Sequence, residues 1–337
     1  MAANDAQMEQ ANKALTNLVL KDNPQMDELS TRQLVDEVVT QSFKNGDFSS
    51  LELMAKEFRE KDLKTPGGLS KLTLFDSAMS HIFDLQSVDE KFRPMLDKLV
   101  EDWLVAYPKS TTAHLAHAQM LVGQAWGFRG HGYANTVTPE GWKLFHDYLE
   151  NARKYLQENT EFADNDPRWD FRLISIGGLQ DISGDEYAKM AEAAFARHPE
   201  YLQLYLGISE RYWPKWGGDW VQFEKFAQQA VVLSHEKLGN TVYARIYWHA
   251  AQDNEDGAHI LFHDSSIAWN EMKLGMDDVL KDYPERWNVY NFAMFACFAG
   301  DKDKTHELLA RLTNDKIPMS WPYVTSFSHC QEFANGQ

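Results

Sequence analysis

An internal echo within residues 184–234 decides the expected fold. Residues 184–197 read GDEYAKMAEAAFAR and residues 218–231 read GDWVQFEKFAQQAV, so two Gly-Asp steps lie 34 residues apart. That spacing is the period of a tetratricopeptide-type repeat, whose unit is a pair of helices joined by a turn. Between the two steps, His198-Pro199 ends one helix and an apolar stripe marks the next. The stretch therefore predicts stacked helical hairpins.

Each Gly-Asp step is expected to join two helices. Glycine adopts the left-handed conformation that ends the first helix. The aspartate then accepts hydrogen bonds from the free N–H groups at the start of the second helix. Four such steps precede apolar residues at three-and-four spacing, namely Gly46-Asp47, Gly184-Asp185, Gly218-Asp219 and Gly300-Asp301. Because no convincing alternating strand pattern is present, we predict an all-α fold, an α-solenoid of stacked hairpins.

The length of the chain fits a repeat array. A single domain usually has about 100–200 residues, but a repeat array of 337 residues grows by adding units. We expect a flexible N-terminal arm over residues 1–25 and one helical-repeat domain over residues 26–337. The aromatic residues of the tail are expected to close the last repeat, and these are Trp321, Tyr323, Phe327 and Phe333.

The charge of the chain restricts its partners. Its formal net charge is −17, while its 44% hydrophobic content is ordinary for a globular protein. A strongly acidic chain disfavours nucleic acid and anionic membranes as partners. The same charge favours a basic protein partner, although it also serves solubility alone.

Cysteine usage and the N-terminus indicate a compartment. Cys297 and Cys330 are the two cysteines, too few for a disulfide framework. Two thiols fit a reducing compartment, and a single bridge between them stays open. The N-terminus lacks the basic start of a signal peptide, and no run reaches the ~18 apolar residues of a membrane-spanning helix. We therefore expect a cytoplasmic protein.

Several short motifs resemble a known family. They are Trp126-x-x-Arg129-Gly130-x-x-Tyr133-Ala134, Thr138-Pro139-Glu140-Gly141-Trp142-x-x-Phe145, Pro214-x-Trp216-Gly217-Gly218, Phe226-Ala227 and Tyr243-Ala244-x-x-Tyr247. Across residues 48–248 the chain resembles an uncharacterised bacterial family, the domain of unknown function numbered 4034. The resemblance implies a tetratricopeptide-like helical fold and no established activity, and it brings no catalytic residues with it.

The glycine-containing loop from Gly127 to Gly132 has two interpretations. Its glycines would let backbone N–H groups approach an anion that Arg129 clamps, with His131 beside it. The glycine spacing fits neither a P-loop nor a dinucleotide fingerprint. The favoured interpretation is a connection between helices whose Arg129 pairs with a carboxylate. As candidate partner-binding residues, this loop supplies Arg129, His131 and Tyr133.

His259 and His263 have the four-residue spacing of a helical metal pair. A zinc site needs three or four converging ligands, and here only this pair has the diagnostic spacing. Ile260 occupies the position of the glutamate in an H-E-x-x-H motif. We therefore predict solvated histidines, no metal and no cofactor.

Residues 213–220, WPKWGGDW, are the densest aromatic segment. Exposed tryptophans here would form an interaction surface, because tryptophan, tyrosine and arginine dominate binding hot spots. Packing between repeats explains them equally, and aromatics at helical spacing usually build interiors. Trp213, Trp216 and Trp220 are the candidate partner-binding residues of this segment.

The sequence shows no catalytic constellation, since it lacks a G-x-S-x-G nucleophile elbow. Our first hypothesis is a non-enzymatic helical-repeat scaffold that binds a basic protein, in a specific form an immunity or antitoxin protein that occludes a toxin. The alternative is an enzyme or small-ligand-binding protein that uses the Arg129 and His131 loop or a metal held by His259 and His263.

Overall fold

A computed structural model describes residues 13–21, 25–130, 132–252, 257–312 and 324–336. Within these ranges the chain is all-α, as predicted. They contain no strand, and an isolated bridge joins Lys64 and Ser70. None of the described helices combines the length and the apolar character needed to cross a membrane.

Contacts divide the chain into two compact units. Unit 1 comprises Met1–Thr65 and Leu69–Glu192, and unit 2 comprises Pro66–Gly68 and Ala193–Gln337. Stacked repeats contact mainly their neighbours, so a repeat array can divide in this way without consisting of independent domains. The single domain expected over residues 26–337 therefore stays a prediction.

Unit 1 is built from helices that follow one another along the chain. They are α1 (residues 13–19), α2 (Glu28–Lys44), α3 (Phe48–Glu60), α4 (Lys71–Val88), α5 (Arg93–Ala106), α6 (Thr111–Arg129), α7 (Pro139–Glu158), α8 (Pro167–Leu179) and most of α9 (Gly184–Arg197). Helix α2 packs on α4, α4 on α6 and α6 on α8. Helix α3 packs against α2, and α7 packs against α6. This order of contacts is consistent with a solenoid-like stack of hairpins.

The core of unit 1 follows from the stripe on α7. Phe145, Leu149, Ala152 and Leu156 recur at three-and-four spacing, which places them on one face of α7, and all four are buried against α6 and α8. Trp142, at the start of the same stripe, is partly buried. Burial of this apolar face is the main favourable term for the helix pair.

Unit 2 repeats the same order of contacts. Its helices are α10 (Leu202–Ser209), α11 (Trp220–Leu238), α12 (Thr241–Gln252), α13 (Gly257–Asp264), α14 (Trp269–Asp282), α15 (Arg286–Phe298), α16 (Lys302–Ala310) and α17 (Val324–Asn335). Helix α10 packs on α12 and α12 on α14, and α15 packs on α17. The Gly67 carbonyl accepts a hydrogen bond from Asn288 Nδ2 at 3.1 Å, which ties residues 66–68 into this unit.

The described part of the predicted arm is packed. Helix α1 buries Thr16 and Val19, and the buried Lys71 Nζ donates to the Val19 carbonyl at 2.9 Å and to the Lys21 carbonyl at 3.2 Å. Residues 1–12 and 22–24 of the arm lie outside the described residues. The flexibility expected of the arm stays a prediction.

The predicted tail cap is seen in part. Phe327 of α17 is buried and its ring lies 6.0 Å from that of Tyr290 on α15. A disulfide joins Cys297 of α15 to Cys330 of α17. Trp321 and Tyr323 lie outside the described residues.

Candidate interaction surfaces

Trp213 is a core residue. Its side chain is 2% exposed, and its ring lies 5.2 Å from that of His249 on α12. His249 Nε2 is in turn 2.9 Å from Glu210 Oε1, so the segment is fixed at its start as well. Trp213 is thus unsuited to direct contact with a partner, contrary to its selection as a candidate partner-binding residue.

Two glycines shape the turn that follows. Gly217 has φ of 86°, the left-handed region that favours glycine. Gly218 lies so close to the preceding turn that an added Cβ would be 2.3 Å from the carbonyl carbon and oxygen of Tyr212. Tyr212 itself stacks on Phe226 of α11, with ring centroids 5.0 Å apart. We call residues 210–219 the anchor loop, because its backbone is tied to the core at several points.

Trp216 is the exposed member of the anchor loop. Its side chain is 63% exposed. The Lys215 ammonium lies 5.6 Å from the Trp216 ring and 4.6 Å from the Trp213 ring, so one cation rests on a buried and an exposed indole. Burial lowers the pKa of Lys215, an effect that the charge of Glu210 opposes. The arrangement presents an exposed indole on a loop whose flanking residues pack against the core.

Trp220 is intermediate between these two. It begins α11, is partly buried, and meets Phe223 edge to face with ring centroids 5.4 Å apart. The three tryptophans that the sequence grouped together therefore have three different environments. Helical spacing alone does not separate them, because Trp213 precedes and Trp216 ends a single 3₁₀ turn, Pro214–Trp216, and neither lies on an α-helix.

Arg129 is held inside its own loop. It is the last residue of α6, and its guanidinium carbon lies 5.1 Å from the ring of Trp126 and 5.1 Å from that of Trp142. Its Nη1 donates to the carbonyls of Gly130 at 3.0 Å and Gly132 at 3.2 Å. In the described part of the chain, indoles and carbonyls hold this guanidinium in place of the carboxylate that the sequence led us to expect.

The other two candidates of this loop differ in status. Tyr133 is 86% exposed, the most exposed large aromatic among the described residues. The Tyr133 carbonyl accepts a hydrogen bond from Thr136 Oγ1 at 2.7 Å. This bond involves the backbone and not the ring. His131 lies outside the described residues.

The suggested metal pair gains no support from its surroundings. His263 is exposed and its Nδ1 lies 2.8 Å from Asp264 Oδ1. The His259 side chain is outside what the structure describes. Among the described residues, no three His, Cys, Asp or Glu side chains converge as metal ligands would.

The sequence reasoning missed a buried carboxylate in unit 2. Glu224 of α11 faces inward and accepts from Tyr243 Oη at 2.7 Å and from Tyr247 Oη. Its other oxygen accepts from Gln228 Nε2 at 2.7 Å, and Tyr243 Oη accepts from the Ala268 N–H at 2.9 Å. Burial raises the pKa of both tyrosines, and the hydrogen bonds to Glu224 raise them further. A glutamate on the apolar face of a helix is the signal that would have revealed it.

A second missed cluster stabilises unit 1. Asp166 caps α8 and pairs with the buried Arg168, Nη2 to Oδ2 at 2.7 Å, and with Arg59, Nη1 to Oδ2 at 2.9 Å. Burial acts to raise the pKa of Asp166, but the charge and hydrogen bonds of Arg168 outweigh it and lower the pKa to about 2. Both carboxylate oxygens of Asp166 accept hydrogen bonds from arginines or the backbone, so this cluster is structural.

Comparisons with known proteins returned no match: neither a protein-family model, nor a curated protein, nor a solved structure matched the chain. The resemblance to the family numbered 4034 therefore stays a prediction.

Proposed function

We propose that this chain is a non-enzymatic helical scaffold that binds another protein, and that Trp216 is the anchor of the contact. The supporting observation is the exposure of Trp216 on a loop tied to the core by Trp213 and Gly218. An indole on a loop already packed against the core requires little ordering of the backbone on binding, so more of its burial contributes to affinity.

The proposed partner is basic. The chain carries 50 acidic and 33 basic residues, which attracts and orients a cationic surface at long range. The Asp219 carboxylate lies in the anchor loop, and its pKa is lowered by hydrogen bonds from Gln222, so it is charged at neutral pH. A specific form of the proposal is an immunity or antitoxin protein that blocks a toxin by occlusion.

The compartment of the protein belongs to the same proposal. A cytoplasmic location was predicted from the low cysteine count, the N-terminal sequence and the lack of a long apolar run, with a single bridge left open. Cys297 and Cys330 are joined in a disulfide. Disulfides persist in oxidising compartments and are rare in the cytosol, so the bridge weighs against the cytoplasmic prediction. Alkylation of protein from its native cells before and after reduction, followed by mass spectrometry, would decide between the two.

The alternative function through the Arg129 loop has weaker support. Arg129 already contacts two indoles and donates from Nη1 to two carbonyls, so an anion would compete with these contacts. We therefore do not base an activity on it.

The test of the proposal is binding to a purified protein encoded by the neighbouring gene. Calorimetry at about 50 mM and about 500 mM salt would show tighter binding at low salt, since screening weakens attraction between exposed charges. In Trp216→Ala we expect the dissociation constant to rise about thirtyfold, as for a hot-spot residue. Absence of a complex at low salt counts against the proposal.

Tyr133→Ala tests the other candidate loop, because Tyr133 is also exposed but lies in unit 1. We expect its affinity to equal that of the wild type. If Tyr133→Ala loses binding while Trp216→Ala retains it, the anchor has been placed in the wrong loop.

A further inference from the structure

The described side chains of α17 pack against unit 2 through one narrow face. Among residues 327–336, Phe327, Cys330 and Ala334 are buried and Phe333 is partly buried. Spacings of three and four residues place the buried side chains on one face of the helix, which packs against α15 and α16. Residues 328, 329, 331 and 332 are exposed. The docking face is small, and one of its buried residues is half of the Cys297–Cys330 disulfide.

The sequence of α17 favours a helix only weakly. It reads VTSFSHCQEFAN over Val324–Asn335. Gln331, Glu332 and Ala334 are strong helix formers, and the other positions hold weaker ones. An isolated helix shorter than about 12–15 residues is marginal in water even with a favourable sequence. Docking therefore supplies most of the stability of this helix.

The disulfide holds α17 against α15 at the centre of the docking face. Cys330 lies between Phe327 and Ala334 on α17, and the bridge joins it to α15. Beside the bridge, the Phe327 ring lies 6.0 Å from that of Tyr290. The bridge closes a loop of 33 residues, and loss of such a bridge shifts the equilibrium between closed and open chain on the order of several hundredfold in the loop-entropy model. Breaking the bond therefore removes a large part of what keeps α17 docked.

Helix α15 does not depend on α17 in the same way. Its residues from Trp287 to Cys297 are all buried. It packs against α13, α14 and α16 as well as α17. Because apolar surface is removed from water on several sides of α15, loss of α17 should leave α15 in place.

We propose that the Cys297–Cys330 bridge is a redox switch that controls whether α17 is docked. In the oxidised chain α17 covers its site on α15. In the reduced chain α17 undocks, loses its helical structure and uncovers Tyr290, which is 1% exposed in the docked form. This is an order-to-disorder transition of one segment on a fold that stays intact.

A dithiol reductant operates the switch by thiol–disulfide exchange. One thiolate of the reductant bonds to one protein sulfur, the Cys297–Cys330 bond breaks, and the other protein sulfur leaves as a thiolate. The second thiol of the reductant then displaces the first protein sulfur and closes the reductant's own disulfide. The reductant is oxidised by two electrons, and its two thiol protons pass to the protein sulfurs. Because the chain has two cysteines, the reductant breaks this bond and no other.

Hydrogen exchange of the full-length protein, oxidised or reduced with dithiothreitol, tests the proposal. We expect the α17 amides to exchange about a hundredfold faster after reduction, because local unfolding exposes them. The amides of α12, whose residues from Val242 to Trp248 are buried, are the internal control and should exchange equally in both forms. The double variant Cys297→Ser/Cys330→Ser should match the reduced wild type with or without dithiothreitol. Equal protection of α17 in the two forms, or a matching acceleration in α12, overturns the proposal.

Thiol reactivity gives a second measurement, with no reductant present during the reaction. Cys297→Ser leaves Cys330 as the one thiol, and Cys330 is 0% exposed when α17 is docked. We expect iodoacetamide to alkylate Cys330 within about tenfold of the rate in urea-denatured protein, because the undocked segment is locally unfolded. Slower alkylation means that α17 stays docked without the bridge, which contradicts the switch. The exchange measurement on the wild type guards against a folding defect of this variant.

The switch is independent of the function proposed for the anchor loop. Trp216 lies outside α15 and α17, so Trp216→Ala should show the same faster exchange of α17 on reduction. Failure of partner binding therefore leaves the switch standing, and failure of the switch leaves partner binding standing. A redox response lost in Trp216→Ala would contradict a switch confined to α17.

Discussion

The Gly-Asp steps at residues 184 and 218 have the same sequence but different structures. Asp219 is the N-cap of α11 and accepts from the N–H groups of Val221 at 2.9 Å and Gln222 at 2.8 Å. Asp185, in contrast, lies inside the first turn of α9, where Ser183 Oγ accepts from the Glu186 N–H at 3.2 Å. The cap of α9 is therefore two residues earlier than its aspartate.

The glycines differ in the same way. An added Cβ at Gly184 would meet nothing within 4 Å, whereas at Gly218 it would meet the backbone of Tyr212. The left-handed conformation expected at Gly218 belongs instead to Gly217, with φ of 86°. The comparison shows that a repeated dipeptide marks where helices begin. It does not show which side chain accepts the hydrogen bonds of the free N–H groups in the first turn.

The largest expected effect is at Gly218. In Gly218→Ala a Cβ collides with backbone atoms that lack the freedom of a side chain, and we expect a loss of about 1–3 kcal/mol in the free energy of unfolding. Urea denaturation measures it. Because Gly218 also positions the anchor loop, partner binding should weaken with it. An unchanged midpoint would mean that the contact with Tyr212 relaxes at no cost.

A smaller loss is expected for the true cap of α9. Ser183→Ala removes the acceptor for the Glu186 N–H and should cost about 1 kcal/mol in urea denaturation. Asp185→Asn keeps the volume of the side chain and serves as its control, with a smaller effect expected because Asp185 contributes only its charge near the helix N-terminus. A larger loss in Asp185→Asn would indicate that Asp185 of the Gly-Asp step, and not Ser183, caps α9.

The contribution of the Asp219 cap to stability should depend on pH. Its pKa is lowered from 3.8 by hydrogen bonds, first from the Gln222 N–H. A lowered carboxyl pKa in the folded state gives stability that is present above 3.8 and lost as pH falls through the folded pKa. We expect the wild type to exceed Asp219→Asn in thermal midpoint at pH 7, and the difference to shrink at lower pH. A constant difference would contradict a charged cap.

Gly184→Ala should have the smallest effect and the opposite sign. The position is helical and open, so alanine reduces the freedom of the unfolded chain without a clash, and a gain of about 0.5 kcal/mol is expected. The thermal midpoints of Gly184→Ala and Gly218→Ala, measured together, give the sharpest form of the comparison. Destabilisation by Gly184→Ala would indicate a contact that the described residues do not show.

The fold was largely predictable because it depends on local periodicity. The α7 stripe of Phe145, Leu149 and Ala152 predicted its buried face correctly. Two joints, Gly46-Asp47 and Gly300-Asp301, match the prediction in full: both glycines are left-handed, and both aspartates cap the following helix. The capping-box spacing of Ser183 and Glu186 was also present in the sequence and would have located the start of α9.

The candidate sites were predicted less well because they depend on non-local contacts. Trp213 and Trp216 are three residues apart, yet one is buried against His249 and the other is exposed. Arg129 was expected to pair with a carboxylate, but its guanidinium lies against indoles from two helices and donates to two carbonyls of its own loop. Nothing in a linear pattern identifies which of these groups comes close.

The sequence by itself determined the helical class, the positions of most helices and the acidic charge, because these follow from residue spacing and composition. The tertiary structure decided which tryptophan is exposed, which glycine tolerates no side chain, that Cys297 bonds to Cys330, and that Glu224 turns inward to two tyrosines. Each of these depends on contacts between residues distant in the chain, and such contacts exist only after the helices have packed.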